Sequence, residues 1–149
     1  MSYPINITID QKLINQTVSE NNKYVNYKEI ASEFCNLYYT TIILKGISGV
    51  LYLFDQNALC NYNGIEINGM YNVMTHLASE NIHRFIYTGL NYTPTLINKD
   101  SLMIQVSGNC QAISFSNQIS NIYKFTETFI LKFNDKRILI VNYLFRLIF

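Results

Sequence analysis

The sequence predicts an α+β fold in which N-terminal helices pack on an antiparallel sheet, and two features of the chain carry this prediction. In the first third, apolar residues recur every four positions, as they do along one face of a helix. In the last third, apolar and mixed residues alternate, as they do on the two faces of a β-strand. Helices first and strands afterwards is the order of an α+β domain.

Length and composition indicate one globular domain that has a large core and a weakly charged surface. The chain has 149 residues, of which 49% are hydrophobic and 14% are charged, and its net charge is +1. A chain of this length buries enough surface to fold without metals or disulfides, and low charge favours association. Lysine and arginine are scattered along the chain, so no basic patch for nucleic acid is expected.

The cysteines and the apolar C-terminal segment give expectations about the cellular localisation of the protein. Cys35, Cys60 and Cys110 lie far apart and are odd in number, which is typical of free thiols in a reducing compartment. We therefore expect the protein to be located in the cytoplasm or the nucleus. The apolar segment from Ile138 to Phe149 is too short to span a bilayer and includes Arg146, so it is predicted to be a core strand, and no membrane association is expected.

Residues 1–25 are predicted to be a loosely ordered arm or a short strand, and residues 26–149 are predicted to be the folded domain.

The first predicted helix begins at a capping box. Asn26 and Glu29 at the start of this helix have the spacing of a capping box, and the helix is expected to end near Gly46. Its apolar stripe consists of Ile30, Phe34, Tyr38 and Ile42.

Two more helices, a hairpin and four long strands are predicted after this helix. Val50–Phe54 is predicted to be a short helix, Asn63-Gly64 the turn of a hairpin, and Tyr71 to about Ser79 a third helix. Runs rich in β-branched and aromatic residues predict the long strands. These strands cover Phe85–Leu96, Leu102–Ile113, Asn121–Phe133 and Ile138–Ile148.

Strand alternation assigns the residues of the last two strands to a core face and an outer face. The predicted core set is Phe125, Glu127, Phe129, Leu131, Phe133, Leu139, Val141, Tyr143, Phe145 and Leu147. The opposite face is neither fully polar nor fully apolar, which is typical of a protein interface. We predict a dimer surface on this face, formed by Gln105, Thr126, Thr128, Ile140, Asn142, Leu144 and Arg146.

Six short strings occur in an order that resembles one known family. They are Glu33–Thr41 (EFCNLYYTT), Asn61–Gly64 (NYNG), Asn68-Gly69, Gln105–Gly108 (QVSG), Phe125–Leu131 (FTETFIL) and Tyr143–Arg146 (YLFR). Together they resemble the nuclear transport factor 2-like family, and the first is especially similar to the small subunit of the messenger-RNA export receptor. The resemblance covers about residues 28–149, and it implies a cone in which helices pack on a curved sheet.

The resemblance also implies a function and a set of partners. It implies a dimer-forming, non-enzymatic protein-binding domain of nucleocytoplasmic transport or messenger-RNA export, without a cofactor. Arg146 then helps to pair two sheet faces, in a homodimer or a heterodimer. The implied partner cavity consists of Tyr62, Tyr123, Leu144 and Phe145, and its expected ligand is a phenylalanine-rich peptide of the nucleoporin type. Residues 116–120 contain no carboxylate, which puts the family's binding of Ran in doubt.

Glu127 leaves the function open, because alternation places its carboxyl group on the core face. Burial raises the pKa of a carboxyl group, and enzymes of this fold, such as ketosteroid isomerase, use acidic groups and a tyrosine in the cone. Glu127 and Tyr143 are therefore candidates for catalysis, while the structural alternative is a Glu127 that accepts hydrogen bonds from tyrosine hydroxyls or the backbone. A third alternative is a structural dimerisation module. His76 and His83 lack further ligands at metal-binding spacing, so no metal site is expected.

Overall fold

A computed structural model describes residues 26–134 and 137–149. The prediction for residues 1–25 lies outside this part of the chain. The helices are α1 (Tyr27–Lys45), a 3-10 helix (Ile47–Leu53) and α2 (Met70–Ser79). Within the described residues, no helix combines the length and the hydropathy needed to cross a membrane.

Among the described residues, six strands form one sheet. They are β1 (Phe54–Tyr62), β2 (Ile65–Asn68), β3 (Arg84–Asn98), β4 (Ser101–Ile113), β5 (Tyr123–Asn134) and β6 (Arg137–Ile148). The order across the sheet is β2-β1-β6-β5-β4-β3, and all neighbours are antiparallel except β1 and β6, which are parallel. The helices pack on one side of the curved sheet, so the predicted α+β cone is confirmed.

Helix α1 has the predicted stripe and the predicted end, whereas its predicted capping box does not form. All four residues of the stripe are buried. The Asn26 carbonyl accepts the Ile30 N–H at 3.0 Å, but the Asn26 side chain makes no capping bond to the helix. At the other end, Gly46 has φ +81°, and a Cβ there would lie 2.9 Å from His83 Nε2. The helix therefore ends where only glycine fits.

Aromatic rings join α1 to the inner face of the sheet, which is the face on the helix side. The ring of Phe129 in β5 lies 5.1 Å from that of Phe34 and 4.7 Å from that of Tyr38. These edge-to-face contacts are the geometry that aromatic pairs prefer. Phe125, Phe129, Leu131 and Phe133 are all buried there, as the alternation predicts.

A β-bulge in β6 contradicts the prediction for Ile140. Ile130 pairs with Asn142, but the next residue, Leu131, pairs with Ile140, so Val141 is an extra residue in β6. A bulge reverses the alternation on one side of it. Ile140 is therefore 0% exposed and lies in the core, and its assignment to the dimer surface is wrong.

The position of Ile140 leads to a stability prediction. Ile140→Ala should lower the free energy of unfolding by about 2–4 kcal/mol, because it opens a cavity in a packed core. Leu44→Ala, on a side chain that is 47% exposed, should cost less than about 1 kcal/mol. Urea unfolding followed by circular dichroism measures both values. Equal losses of unfolding free energy in the two variants would contradict the burial of Ile140, and with it the bulge.

Candidate functional site

The remaining predicted interface residues share the outer face of the sheet, which is the side away from the helices. In the central strands, Leu144 pairs with Thr128 and Thr128 pairs with Gln105. Next to these three residues along the strands, Arg146 pairs with Thr126 on one side, and Asn142 lies on the other side. None of these six side chains is buried. The structure thus brings them together on one continuous surface.

A groove of about 630 Å³ crosses the outer face between the β1-β2 hairpin and strand β5. We call it the face groove; it is lined by Leu59, Cys60, Asn61, Glu66, Ile67, Asn68, Thr128, Ile130, Asn142, Tyr143 and Leu144. Leu59 is 64% exposed and Leu144 is 40% exposed. Sequence reasoning missed Leu59, Glu66 and Ile130, because only the pairing of β1 with β6 brings the hairpin next to the predicted residues.

A second cavity, of about 470 Å³, opens where α2, the β4-β5 loop and the end of β6 meet. We call it the mouth cavity, and the predicted residues Tyr62 and Tyr123 line it. Phe145 lies beneath Tyr62, with ring centroids 4.8 Å apart and nearly parallel planes, so Phe145 supports the wall without lining it. Leu144 faces the other side of the sheet and does not line this cavity, so its assignment there is wrong.

The mouth cavity is mainly apolar and has one charged lining residue. Phe85, Leu147 and Ile82 are apolar lining residues, and Glu80 is the charged one. The Glu80 carboxylate lies 3.6 Å from His76 Nε2. Sequence reasoning missed Ile119, which lines the cavity and is 59% exposed, because an exposed isoleucine in a polar loop has no periodic signal.

Glu127 lies at the centre of the core, and both of its carboxyl oxygens accept hydrogen bonds. The Tyr39 hydroxyl donates to Oε1 at 2.8 Å, and the Tyr143 hydroxyl donates to Oε2. Glu127 is 2% exposed. Burial raises the pKa of its carboxyl group from 4.5 to about 7, although the two hydrogen bonds oppose the shift. We call Glu127, Tyr39 and Tyr143 the glutamate network.

Sequence reasoning found Glu127 and Tyr143 but not Tyr39. Strand parity places Glu127 and Tyr143 on the same face of paired strands, whereas Tyr39 comes from α1, on the other side of the core. The Tyr38 hydroxyl is also buried and has no hydrogen-bond partner among the described residues. Burial, and then the charge of Glu127, raises the pKa of Tyr38, Tyr39, Tyr87 and Tyr143 well above 10. Tyr39 and Tyr143 therefore donate to Glu127 as neutral hydroxyls.

The cysteines and histidines offer no second reactive centre in the described part of the chain. Burial, followed by the charge of Glu127, raises the pKa of Cys35 and of Cys110 to about 12, and burial raises that of Cys60 to about 11. Such thiols are poor nucleophiles at neutral pH. Across residues 26–134 and 137–149, no three histidine, cysteine or acidic side chains are placed to hold a metal ion.

Comparison with known proteins gives a match to a family profile and matches to solved structures. The profile of the nuclear transport factor 2 (NTF2) domain matches residues 30–147. A search of curated proteins found no match.

The similar solved structures include a nuclear transport factor, a UBP3-associated protein and a putative dehydratase. The structure of nuclear transport factor 2 from Cryptosporidium parvum has 21% identity and a TM-score of 0.63, with 83% of this chain and 96% of that chain covered. Yeast UBP3-associated protein BRE5 has 19% identity and a TM-score of 0.59, covering 83% and 98%. A putative scytalone dehydratase from Novosphingobium aromaticivorans has 9% identity and a TM-score of 0.64, covering 87% of each chain. At these identities the likeness shows the fold alone.

The glutamate network leads to a prediction about pH. Because the pKa of Glu127 is higher in the folded state than in the unfolded state, its contribution is most favourable below about pH 4.5 and is lost as pH rises through about 7. The loss should amount to about 3 kcal/mol for a shift of this size. Glu127→Gln should remove this part of the pH dependence.

Thermal unfolding between about pH 5 and pH 8 measures this effect. Glu66→Gln, at an exposed glutamate, is the control and should keep the slope of the parent protein. If the parent and Glu127→Gln lose stability equally as pH rises, the raised pKa of Glu127 is contradicted.

Proposed function

Because this chain belongs to the nuclear transport factor 2 domain family, we propose that it is a non-enzymatic, protein-binding domain that dimerises through the outer face of its sheet. The fold alone does not choose this function, since its structural neighbours include a transport factor and a putative dehydratase. The observation that carries the proposal is the composition and shape of the outer face.

The outer face has the make-up of an interface between proteins. Leu59 and Leu144 are exposed at its centre, and threonine, asparagine and glutamine side chains border them. Burying these leucines against a partner removes apolar surface from water, while the polar border supplies hydrogen bonds. The face is half apolar and long enough to pack against a second sheet. Such a face favours burial in a dimer over exposure to solvent.

We further propose that the domain works in nucleocytoplasmic transport or messenger-RNA export, in the cytoplasm or the nucleus. The match to the NTF2 domain and the likeness to the C. parvum transport factor support this proposal. The mouth cavity suits an apolar anchor such as a phenylalanine ring, since Tyr62, Phe85 and Leu147 line it. A phenylalanine-rich peptide is therefore the proposed ligand. Ran is not proposed, because its binding in this family is expected to need carboxylates, and Glu80 is the one acidic side chain among the lining residues.

A second candidate function is catalysis, and one observation favours it. Burial raises the pKa of the Glu127 carboxyl group to about 7, a range that suits a general acid or base. However, Glu127 lines neither the face groove nor the mouth cavity, and both of its oxygens already accept hydrogen bonds. These contacts support the structural role that the sequence left open.

The dimer proposal predicts that a charge placed on the outer face separates the protomers. The parent protein should have twice the protomer mass in light scattering across a dilution series, and Leu144→Glu should weaken the dimer by at least about tenfold. Leu44→Glu makes the same change on α1, on the other side of the sheet, and should remain a dimer. A monomeric parent, or a Leu144→Glu protein that stays dimeric, would contradict the proposed interface.

The peptide proposal predicts that blocking the mouth cavity weakens peptide binding. Tyr62 is a poor target because its ring stacks on Phe145, so its removal would disturb the core. Ile119→Arg leaves the core intact and should weaken binding of a labelled phenylalanine-glycine repeat peptide by about tenfold or more. Ile97→Arg, at a side chain that is 50% exposed in β3, is the control.

Fluorescence anisotropy measures the peptide affinity of the three proteins. A parent that dimerises but does not bind the peptide would instead indicate a structural dimerisation module. Equal affinities of the parent and Ile119→Arg would show that the peptide binds elsewhere.

A further inference from the structure

A third cavity, of about 530 Å³, lies between α1 and β3 and shares no lining residue with the face groove or the mouth cavity. We call it the helix groove. Its lining residues are Ser32, Glu33, Cys35, Asn36, Tyr39, Thr40, Ile43, Leu90 and Tyr92. Neither the proposed dimer nor the proposed peptide site uses these side chains, so the helix groove has no role in the function proposed above.

The floor of the helix groove is held in place from below. Its most buried lining residues are Cys35 and Tyr39, which are 7% and 4% exposed. The Tyr39 hydroxyl donates to Glu127 Oε1 at 2.8 Å, and the Tyr39 ring packs edge-on against that of Tyr87, with centroids 4.7 Å apart. The floor is therefore fixed at both its hydroxyl and its ring, and such pre-organisation lowers the entropy cost of binding a ligand.

The wall that β3 contributes is shaped by a β-bulge. The register of β3 shifts between Thr88 and Asn91, so that Gly89 and Leu90 together face Gly108 of β4. Gly89 has φ +63°, which favours glycine. A Cβ on Gly108 would lie 3.0 Å from Leu90 Cδ2, so the Leu90 side chain needs a glycine beside it. Bulges redirect side chains next to binding sites, and this one places Leu90 in the wall of the groove.

The lining of the helix groove is apolar at its centre and acidic at one end. The Arg84 guanidinium donates to the Ile43 carbonyl at 3.0 Å, so β3 starts beside the end of α1 and then runs antiparallel to the helix. Tyr92, later in β3, therefore lies toward the same end of the groove as Glu33, which is early in α1. Glu33 is the charged residue of the lining, and Tyr92 is 41% exposed.

We propose that the helix groove binds an arginine side chain from a segment of a partner protein. The aliphatic stem of the arginine packs on Ile43 and Leu90, as long cationic side chains do on apolar surface. Its guanidinium pairs with the Glu33 carboxylate and stacks on the Tyr92 ring. The negative charge of the lining is complementary to this group, whereas an acidic side chain would be repelled by Glu33.

The lining favours arginine over lysine. A guanidinium is planar and weakly hydrated, so it lies flat on an aromatic ring and pairs with a carboxylate through two parallel hydrogen bonds. An ammonium group is a compact, strongly hydrated charge that does neither as well. The inference is independent of the proposed dimer and of the proposed peptide site, because it concerns other side chains.

Titration with three short peptides tests the chemistry of this site. A capped alanine-arginine-alanine peptide is added to isotope-labelled protein and followed by NMR, beside the same peptide with lysine or with citrulline, which is close to arginine in shape but uncharged. The arginine peptide should shift the resonances of the helix groove. The citrulline peptide should bind at least about fivefold more weakly, because it cannot pair with a carboxylate as an ion.

Matched variants test the location of the site. Glu33→Gln keeps the size of the side chain and removes its charge, and should weaken binding of the arginine peptide about fivefold or more. Glu29→Gln makes the same change one turn earlier on α1, at an exposed residue outside the groove, and should change the affinity less than about twofold. Tyr92→Leu should weaken binding about threefold, because it removes the aromatic face. Tyr71→Leu, at an exposed tyrosine of α2, is its control and should bind as the parent does.

Each contrary result overturns the arginine site. Equal affinities for the arginine and citrulline peptides would show that the charge is not recognised. Resonance shifts confined to other surfaces, or no shifts up to about 10 mM peptide, would show that the groove is not the site. Equal losses in Glu33→Gln and Glu29→Gln would show that the peptide follows the general charge of the helix. The dimer and the mouth cavity are tested by other variants, so their standing does not change with any of these results.

Discussion

The contact between α1 and the inner face of β5 is the constraint on which the rest of the structure depends. Phe34 and Tyr38 lie edge-on to Phe129, and this fixes the distance and rotation of the helix relative to the sheet. The same placement brings Tyr39, the next residue of α1, to the Glu127 carboxyl group. The same helix therefore positions the core packing and supplies one of the two hydrogen bonds to Glu127, the one buried carboxyl group among the described residues. The described helices leave the opposite side of the sheet uncovered.

Much of this arrangement could be predicted from the sequence where its pattern is local. The four-residue stripe of α1 and the alternation around Phe129 identify helix, strand and core face correctly. Glu127 is recognisable as a buried carboxyl group for the same reason. Tyr39 is not, because its partner lies 88 positions away in the chain and no periodic pattern links them. The fold supplies contacts between elements, whereas the sequence pattern describes each element alone.

The outer face shows the same limit in another form. Leu144 and Arg146 are assigned to it correctly by alternation, but Ile140 is not, because one extra residue shifts the register of β6. Leu59 and Glu66 reach this face only through the parallel pairing of β1 with β6. Such pairing joins strands that are distant in the chain, so its register has no local signal. The lining of the face groove therefore depends on the order of the strands in the sheet and could not be predicted from the sequence pattern.

The bulge at Val141 divides β6 into two segments whose side chains are in opposite phase. On one side of it Ile138 and Ile140 fill the core, and on the other side Tyr143 and Phe145 do so. Deleting Val141 would join the two segments into one regular strand, and one segment would then have to turn its apolar residues toward solvent. A variant that lacks Val141 would therefore keep its core only if the residue types of a whole segment were changed as well. The length of β6 and the order of its apolar residues therefore depend on each other.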